Sequence, residues 1–159
     1  MKIDRFWAGT EEALAEYMLF IRANAKEAYG YQPQPEKEDE GSRLLNKQGS
    51  VGVISIAGSL TNGSRGYGNY MTTYNEIREA MIQAAADPTI KTILLDIKSG
   101  GGSVQGLSDT ADLVRKVDAK VKPVHSFSDA AMCSAAYWLG SSARRVHASS
   151  MADVGSIGV

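Results

Sequence analysis

"TIKTILLDIKSGGGSVQG", residues 89–106, is the stretch on which the fold turns. Its first half is too apolar for a half-exposed strand, so it predicts a buried strand running into a triple glycine. Leu107, Ala111, Val114 and Val117 follow at helical spacing, and strand, turn and helix therefore stand in the order of a βα unit. Upstream, "SVGVISIAGSL" predicts a buried strand over 51–57, and the Gly-rich "GSLTNGSRGYGNY" a loop. Thr73 and Glu76 then form a capping box ahead of Ile77, Ala80, Met81, Ala84 and Ala85, which share one helical face, and Asp87-Pro88 ends that helix. Downstream, Pro123 opens a third strand, "PVHSFS"; a helix from about Ser134 to Ser142 and a short strand in "RRVHAS" complete the series. The order β-α-β-α-β-α-β predicts an α/β fold with a mostly parallel sheet and helices on both faces. Ligands of such sheets bind beyond the C-terminal ends of strands, where both "SGGG" and "AMCSA" fall.

The rest of the chain bounds this picture. Its 159 residues are enough for one core, with 43% hydrophobic residues, 22% charged and a formal charge of -1. Lys and Arg are scattered without a basic stripe, which excludes a nucleic-acid binder. Leu14, Tyr17, Met18, Ile21 and Ala25 predict an amphipathic helix within an N-terminal segment, residues 1–30. That segment resembles neither a secretion signal nor a membrane span, so a cytoplasmic protein without a membrane anchor is expected. Residues 31–48, with two prolines and alternating charges, read as an exposed linker, and residues 49–159 as the compact domain. Two histidines and one cysteine make a His/Cys metal site improbable, and no metal or cofactor is expected.

The glycine cluster invites a phosphate-binding reading that its residues refuse. No Lys-Ser/Thr follows the last glycine, and the third glycine of a dinucleotide fingerprint would fall at Gln105. A tight turn remains, or a backbone amide aimed at a reacting carbonyl, since only glycine lets main chain approach so closely. In "DAAMCSAAYW", residues 129–138, Ser134 is either an ordinary N-cap or a nucleophile. The surrounding Ala130, Ala131, Ala135 and Ala136 leave its hydroxyl open, and a helix N-terminus supplies amide donors. The nucleophile elbow of α/β-hydrolases needs glycines where this chain has Met132 and Ala136, which disfavours that fold. Cys133 is the rival nucleophile, although its neighbouring position points elsewhere; as a lone buried cysteine it reads as core. His125 and His147 are alternative bases, and Asp129 and Asp153 alternative orienting groups, all with ordinary structural roles open to them.

"SVGVISIAGSL", "ILLDIKSGGGSV" and "SFSDAAMCSAAYWLGSSARRVHASSMADVGSIGV" resemble, in order and spacing, the S49 serine peptidases, the family of signal peptide peptidase A and its phage relatives. The resemblance covers roughly residues 50–159 and implies the Clp/crotonase fold of stacked βαβ units. It implies Ser134 as nucleophile, with the backbone amides of Gly101 and Ala135 as oxyanion hole. Gly100 stands where the family commonly has proline, and Ala135-Ala136 where it often has two glycines. Lacking an N-terminal anchor, the chain looks more like the phage head-maturation proteases. Those trim scaffold, portal or coat proteins in the host cytoplasm or prohead, and their relatives form rings, so a polypeptide substrate and a homo-oligomer are implied.

The family's general base is a lysine some tens of residues beyond "GSIGV", and no lysine of this sequence matches it. The expectation is an N-terminal portion of the enzyme, with nucleophile and oxyanion hole but no base. Lys98 lies beside the glycine turn, but nothing around it supplies the desolvation a lysine base needs. Two other functions compete. A non-catalytic assembly subunit would keep the fold without the lysine, and a crotonase-like acyl-CoA enzyme would share fold and paired amides but leave Ser134 and "GSIGV" unexplained.

Overall fold

The computed structural model describes residues 7–9, 42–63 and 70–157; the helix expected within 11–28, most of the Gly-rich loop and the last two residues of "GSIGV" lie outside them. The chain runs β1 (Trp7–Gly9), β2 (Leu45–Gln48), β3 (Val51–Ala57), β4 (Ser59–Thr61), β5 (Met71–Thr73), α1 (Tyr74–Ala86), β6 (Thr92–Lys98) and β7 (Gly101–Ser103). It continues through α2 (Leu107–Lys120), β8 (Val124–Ser128), β9 (Ala131–Cys133), α3 (Ala135–Ser141), β10 (Arg145–Ala148) and β11 (Asp153–Gly155).

The main sheet has the order β10-β8-β6-β3-β2, parallel throughout except for β2. Its register aligns Ile54 with Leu95, Ile56 with Ile97, and Ile93 with Val124, so one face of three strands carries the buried aliphatics. Ile54, Ile56, Ile93, Leu95 and Ile97 are buried to 0–1% exposure. Each contributes roughly 1.5–3 kcal/mol by burial. Ile77, Ala80, Met81 and Ala84 of α1, Val114 and Val117 of α2, and Ala135 and Leu139 of α3 join the same cluster.

The helices thus cover one face, not both as the sequence predicts, among the described residues. The strand order explains it: β3, β6, β8 and β10 are laid down side by side in chain order. Right-handed crossovers that never reverse direction deposit every helix on the same side. The opposite face, with Val53, Leu94, Asp96 and His125, is left partly exposed, which is why β3, β6 and β8 alternate in burial.

A second departure concerns residues 45–48, read as linker. They form an edge strand antiparallel to β3, held through Leu44, which is buried, and Arg43. The Arg43 guanidinium grips Glu76 with Nε–Oε1 at 2.7 Å and Nη2–Oε2 at 3.1 Å. Glu76 also accepts the Thr73 amide while the Thr73 hydroxyl accepts the Glu76 amide, the reciprocal capping box read from sequence.

Each main strand is followed by a short one: β4 after β3, β7 after β6, β9 after β8, β11 after β10. β1, β7, β4 and β5 form one small sheet in that order, and β11 and β9 another. The site is built on this second layer.

Candidate active site

Ser99, where β6 ends, joins the layers. Its amide donates to the Ala131 carbonyl at 2.7 Å and its carbonyl accepts the Cys133 amide at 3.1 Å. The glycine turn is thereby stitched to the strand that delivers Ser134. Gly101 follows with φ 108°, a conformation in which a Cβ is strained. Its amide donates to the Ser99 hydroxyl at 3.1 Å, so the structure satisfies this proton within the turn. Gly102 lies so close to β4 that an added Cβ would stand 2.7 Å from the Leu60 backbone nitrogen and carbonyl carbon. Close main-chain packing, more than flexibility, requires glycine there. From the far side, the buried Tyr74 hydroxyl donates to the Ser103 carbonyl at 2.5 Å.

Ser134 sits between β9 and α3 with φ 53° and ψ −119°. A non-glycine residue held at positive φ costs of order 1–3 kcal/mol and persists only where neighbours enforce it. The enforcers are its own backbone bonds: the Ser134 amide donates to the Gly155 carbonyl at 2.7 Å, and its carbonyl accepts the Trp138 amide at 2.9 Å. Its side chain makes no cap bond to α3, so the N-cap role weighed from sequence is not the one it plays. The hydroxyl is half-buried and takes no hydrogen-bond partner among the described residues. Ala135, the first residue of α3, has an amide with no intrahelical acceptor. α3 packs against β7, the strand that opens with Gly101. The three elements expected to share a site therefore converge: the turn at Gly101, Ser134, and the start of α3.

Other candidates are sent elsewhere. Cys133 is buried, its thiol donating toward the Asp153 carbonyl at 3.5 Å. His125 and His147 stack on each other across β8 and β10, ring centroids 5.7 Å apart and Nδ1 to Nε2 3.4 Å. His125 is level with Leu94, five residues before Ser99. At about 3.3 Å per residue that is roughly 16 Å from the turn. Lys98 is exposed and pairs with Asp129 at 3.0 Å. The Asp129 carboxylate, with Asp96 nearby, holds the ammonium above its ordinary range, opposite to what a general base requires. Among the described residues no cluster of His, Cys, Asp or Glu is arranged to hold a metal ion. No described helix is long and apolar enough to cross a membrane.

Sequence reasoning missed two contributors. The Ser99 hydroxyl carries no motif of its own. Gly155 was visible within "GSIGV", yet only the parallel β9–β11 register, aligning Gly155 with Cys133, brings its carbonyl to the Ser134 amide.

A mostly parallel sheet with short strands spurring from its C-terminal ends defines the Clp/crotonase class of fold. An enoyl-CoA hydratase from Polaromonas sp. JS666 shares it: TM-score 0.52 over 68% of this chain and 48% of that one, at 19% identity. Likeness at that identity speaks for the fold alone. The family follows from sequence: residues 116–159 match the peptidase family S49. Capsid assembly protease C of Escherichia phage lambda is 36% identical over 127 residues, 77% of this chain and 29% of that protein. Head-tail preconnector protein GP5 of Enterobacteria phage P21 is 33% identical over 121 residues, 74% of this chain and 24% of that protein. The chain belongs to peptidase family S49. It spans about a quarter of the length of these relatives: 29% of the first and 24% of the second.

Proposed function

We propose that this chain carries the nucleophile and oxyanion hole of a Ser-Lys serine endopeptidase that processes phage head proteins. The observation that carries the reading is Ser134: a half-buried, uncapped hydroxyl held at φ 53° beside a glycine turn and a helix start. Its Oγ attacks the scissile carbonyl carbon, the hydroxyl proton passes to a base, and the Gly101 and Ala135 amides receive the oxyanion. Each such donor is worth roughly 2.7–4 kcal/mol in the transition state. For Gly101 this means exchanging the Ser99 hydroxyl for the oxyanion. The base then returns the proton to the leaving nitrogen, and collapse of the tetrahedral intermediate expels the amine and leaves an acyl-enzyme on Ser134, which water then hydrolyses.

The lysine base implied by the family resemblance has no match among residues 1–159, and Lys98 is tied to Asp129. Polypeptide substrates drawn from capsid, portal or scaffold proteins, action in the host cytoplasm or prohead, and a homo-oligomeric assembly belong to the same proposal. The support for a head-protein context is the likeness to the capsid assembly protease of phage lambda and the head-tail preconnector protein of phage P21. Incubation of residues 1–159 with unstructured peptides and a serine-reactive phosphonate tests it. No turnover and little labelling are expected; labelling that disappears in Ser134→Ala would keep the nucleophile and overturn the missing base. Labelling that persists in Ser134→Ala would remove Ser134 from the mechanism.

A further inference from the structure

We propose that the chain's own N-terminal strand, Trp7–Gly9, occupies the edge along which an extended peptide must lie to reach Ser134, and competes with it in cis. The inference rests on the reading of Gly101 and Ser134 as the reacting centre. β7 carries Gly101 and has two edges. One is taken by β4, parallel, with Leu60 level with Gly102. That contact is backbone against backbone, closer than any Cβ would allow, and β4 is itself held by β5 on its other side.

The other edge is taken by β1, antiparallel, with Gly9 level with Gly101, Ala8 with Gly102 and Trp7 with Ser103. A peptide whose carbonyl is to meet the Gly101 amide runs alongside β7, and pairing with a sheet edge satisfies its main chain. Among the described residues only the β1 edge remains for that pairing. β1 is three residues long and terminal in its sheet, so among the described residues β7 is its sole strand partner, and it is the strand that gives way. Its occupancy sets a threshold: a peptide binds only if it pairs with β7 better than Trp7–Gly9 does. Because β1 is part of the same chain, the competition does not weaken on dilution.

Ala8→Pro in the full chain removes an amide from β1 and disfavours its pairing. Successive amides of β7 point to opposite edges, so whichever of the Gly102 and Ser103 amides faces β1 should then exchange about tenfold faster or more, while Ile54 and Leu95 in the central strands keep their protection. A fluorescently labelled peptide DRFWAGTEE, residues 4–12, should bind Ala8→Pro at least about tenfold more tightly than the unmodified chain, whose edge is already filled. Unchanged exchange at both Gly102 and Ser103, or equal peptide affinity, overturns the proposal. Should Ile54 and Leu95 lose protection in Ala8→Pro, Gly9→Pro is judged by the same two readouts. Neither readout requires chemistry at Ser134, so both should be unchanged by adding Ser134→Ala. Failure of the peptidase reading appears in phosphonate labelling, and failure of this one in exchange and binding.

Discussion

The two ends of β6 are built on opposite principles. Its N-terminal end is laced by hydrogen bonds among loop and strand groups. Lys91 donates its amide to the Ser50 carbonyl at 2.7 Å, and Ile93 donates to the Pro123 carbonyl at 2.9 Å. Asp87 accepts the Thr89 amide at 2.8 Å, and the Lys122 ammonium reaches the Ala84 carbonyl at 2.8 Å and the Asp87 carbonyl at 2.5 Å. At the C-terminal end stand Gly101 at φ 108°, Ser134 at φ 53°, and a hydroxyl without a partner among the described residues. One end closes the core; the other holds backbone away from its preferred wells so that a hydroxyl and amides face outward. Strain is tolerated there because the aliphatic face of β3 and β6 supplies more stability than the turn consumes.

Three predictions press on this contrast, in decreasing order of effect. Gly102→Ala drives a methyl into the Leu60 backbone, which has no side chain to move aside. A loss of about 3–5 kcal/mol is expected, read as a lowered urea midpoint. A variant within 1 kcal/mol of the parent would show that β4 and β7 part easily.

Ser134→Gly should raise stability by about 1 kcal/mol, read as a higher urea midpoint, the released strain exceeding the entropy that glycine adds to the unfolded chain. Ser156 has φ 54° but is exposed. The comparison variant Ser156→Gly should gain no more, so a larger gain there than at Ser134 would locate the strain outside the proposed site.

The smallest effect belongs to the quiet end. Asp87 is held at about 2, chiefly by its hydrogen bonds from the Thr89 hydroxyl and amide, with Lys47 adding to them. Depressed below its ordinary 3.8, it contributes stability that is present above that value and lost as pH falls through about 2. Asp87→Asn should therefore lower stability at neutral pH and flatten its decline between those pH values, measured as urea midpoint against pH. An unchanged acid limb would dismiss the Thr89 contacts as energetically idle.

Much of this was legible in the residues. β3 was read with its observed bounds, and α1 with its capping box and its stop at Asp87-Pro88, because local chemistry sets all of these. Helices on both faces were misread because strand order is not written in any one segment. The strand β2 was hidden in a polar, charged run whose side chains face solvent, so no apolar alternation announced it. The short strands β4, β7, β9 and β11 are three residues each, and partners far along the chain define them. Ser134 could be singled out by its small neighbours, but its φ is imposed by Gly155 and Trp138, so its strain could not be read.

Tyr74 turns the buried bond beneath β7 into an optical signal. Desolvation pushes its phenol well above the ordinary range, so it stays protonated where accessible tyrosines have ionised. Among seven tyrosines, it should be the late step in an alkaline absorbance titration, appearing only when the layer under the glycine turn opens. The molecule thus carries an intrinsic chromophore that reports, without any label, whether the floor of the proposed catalytic cleft is intact.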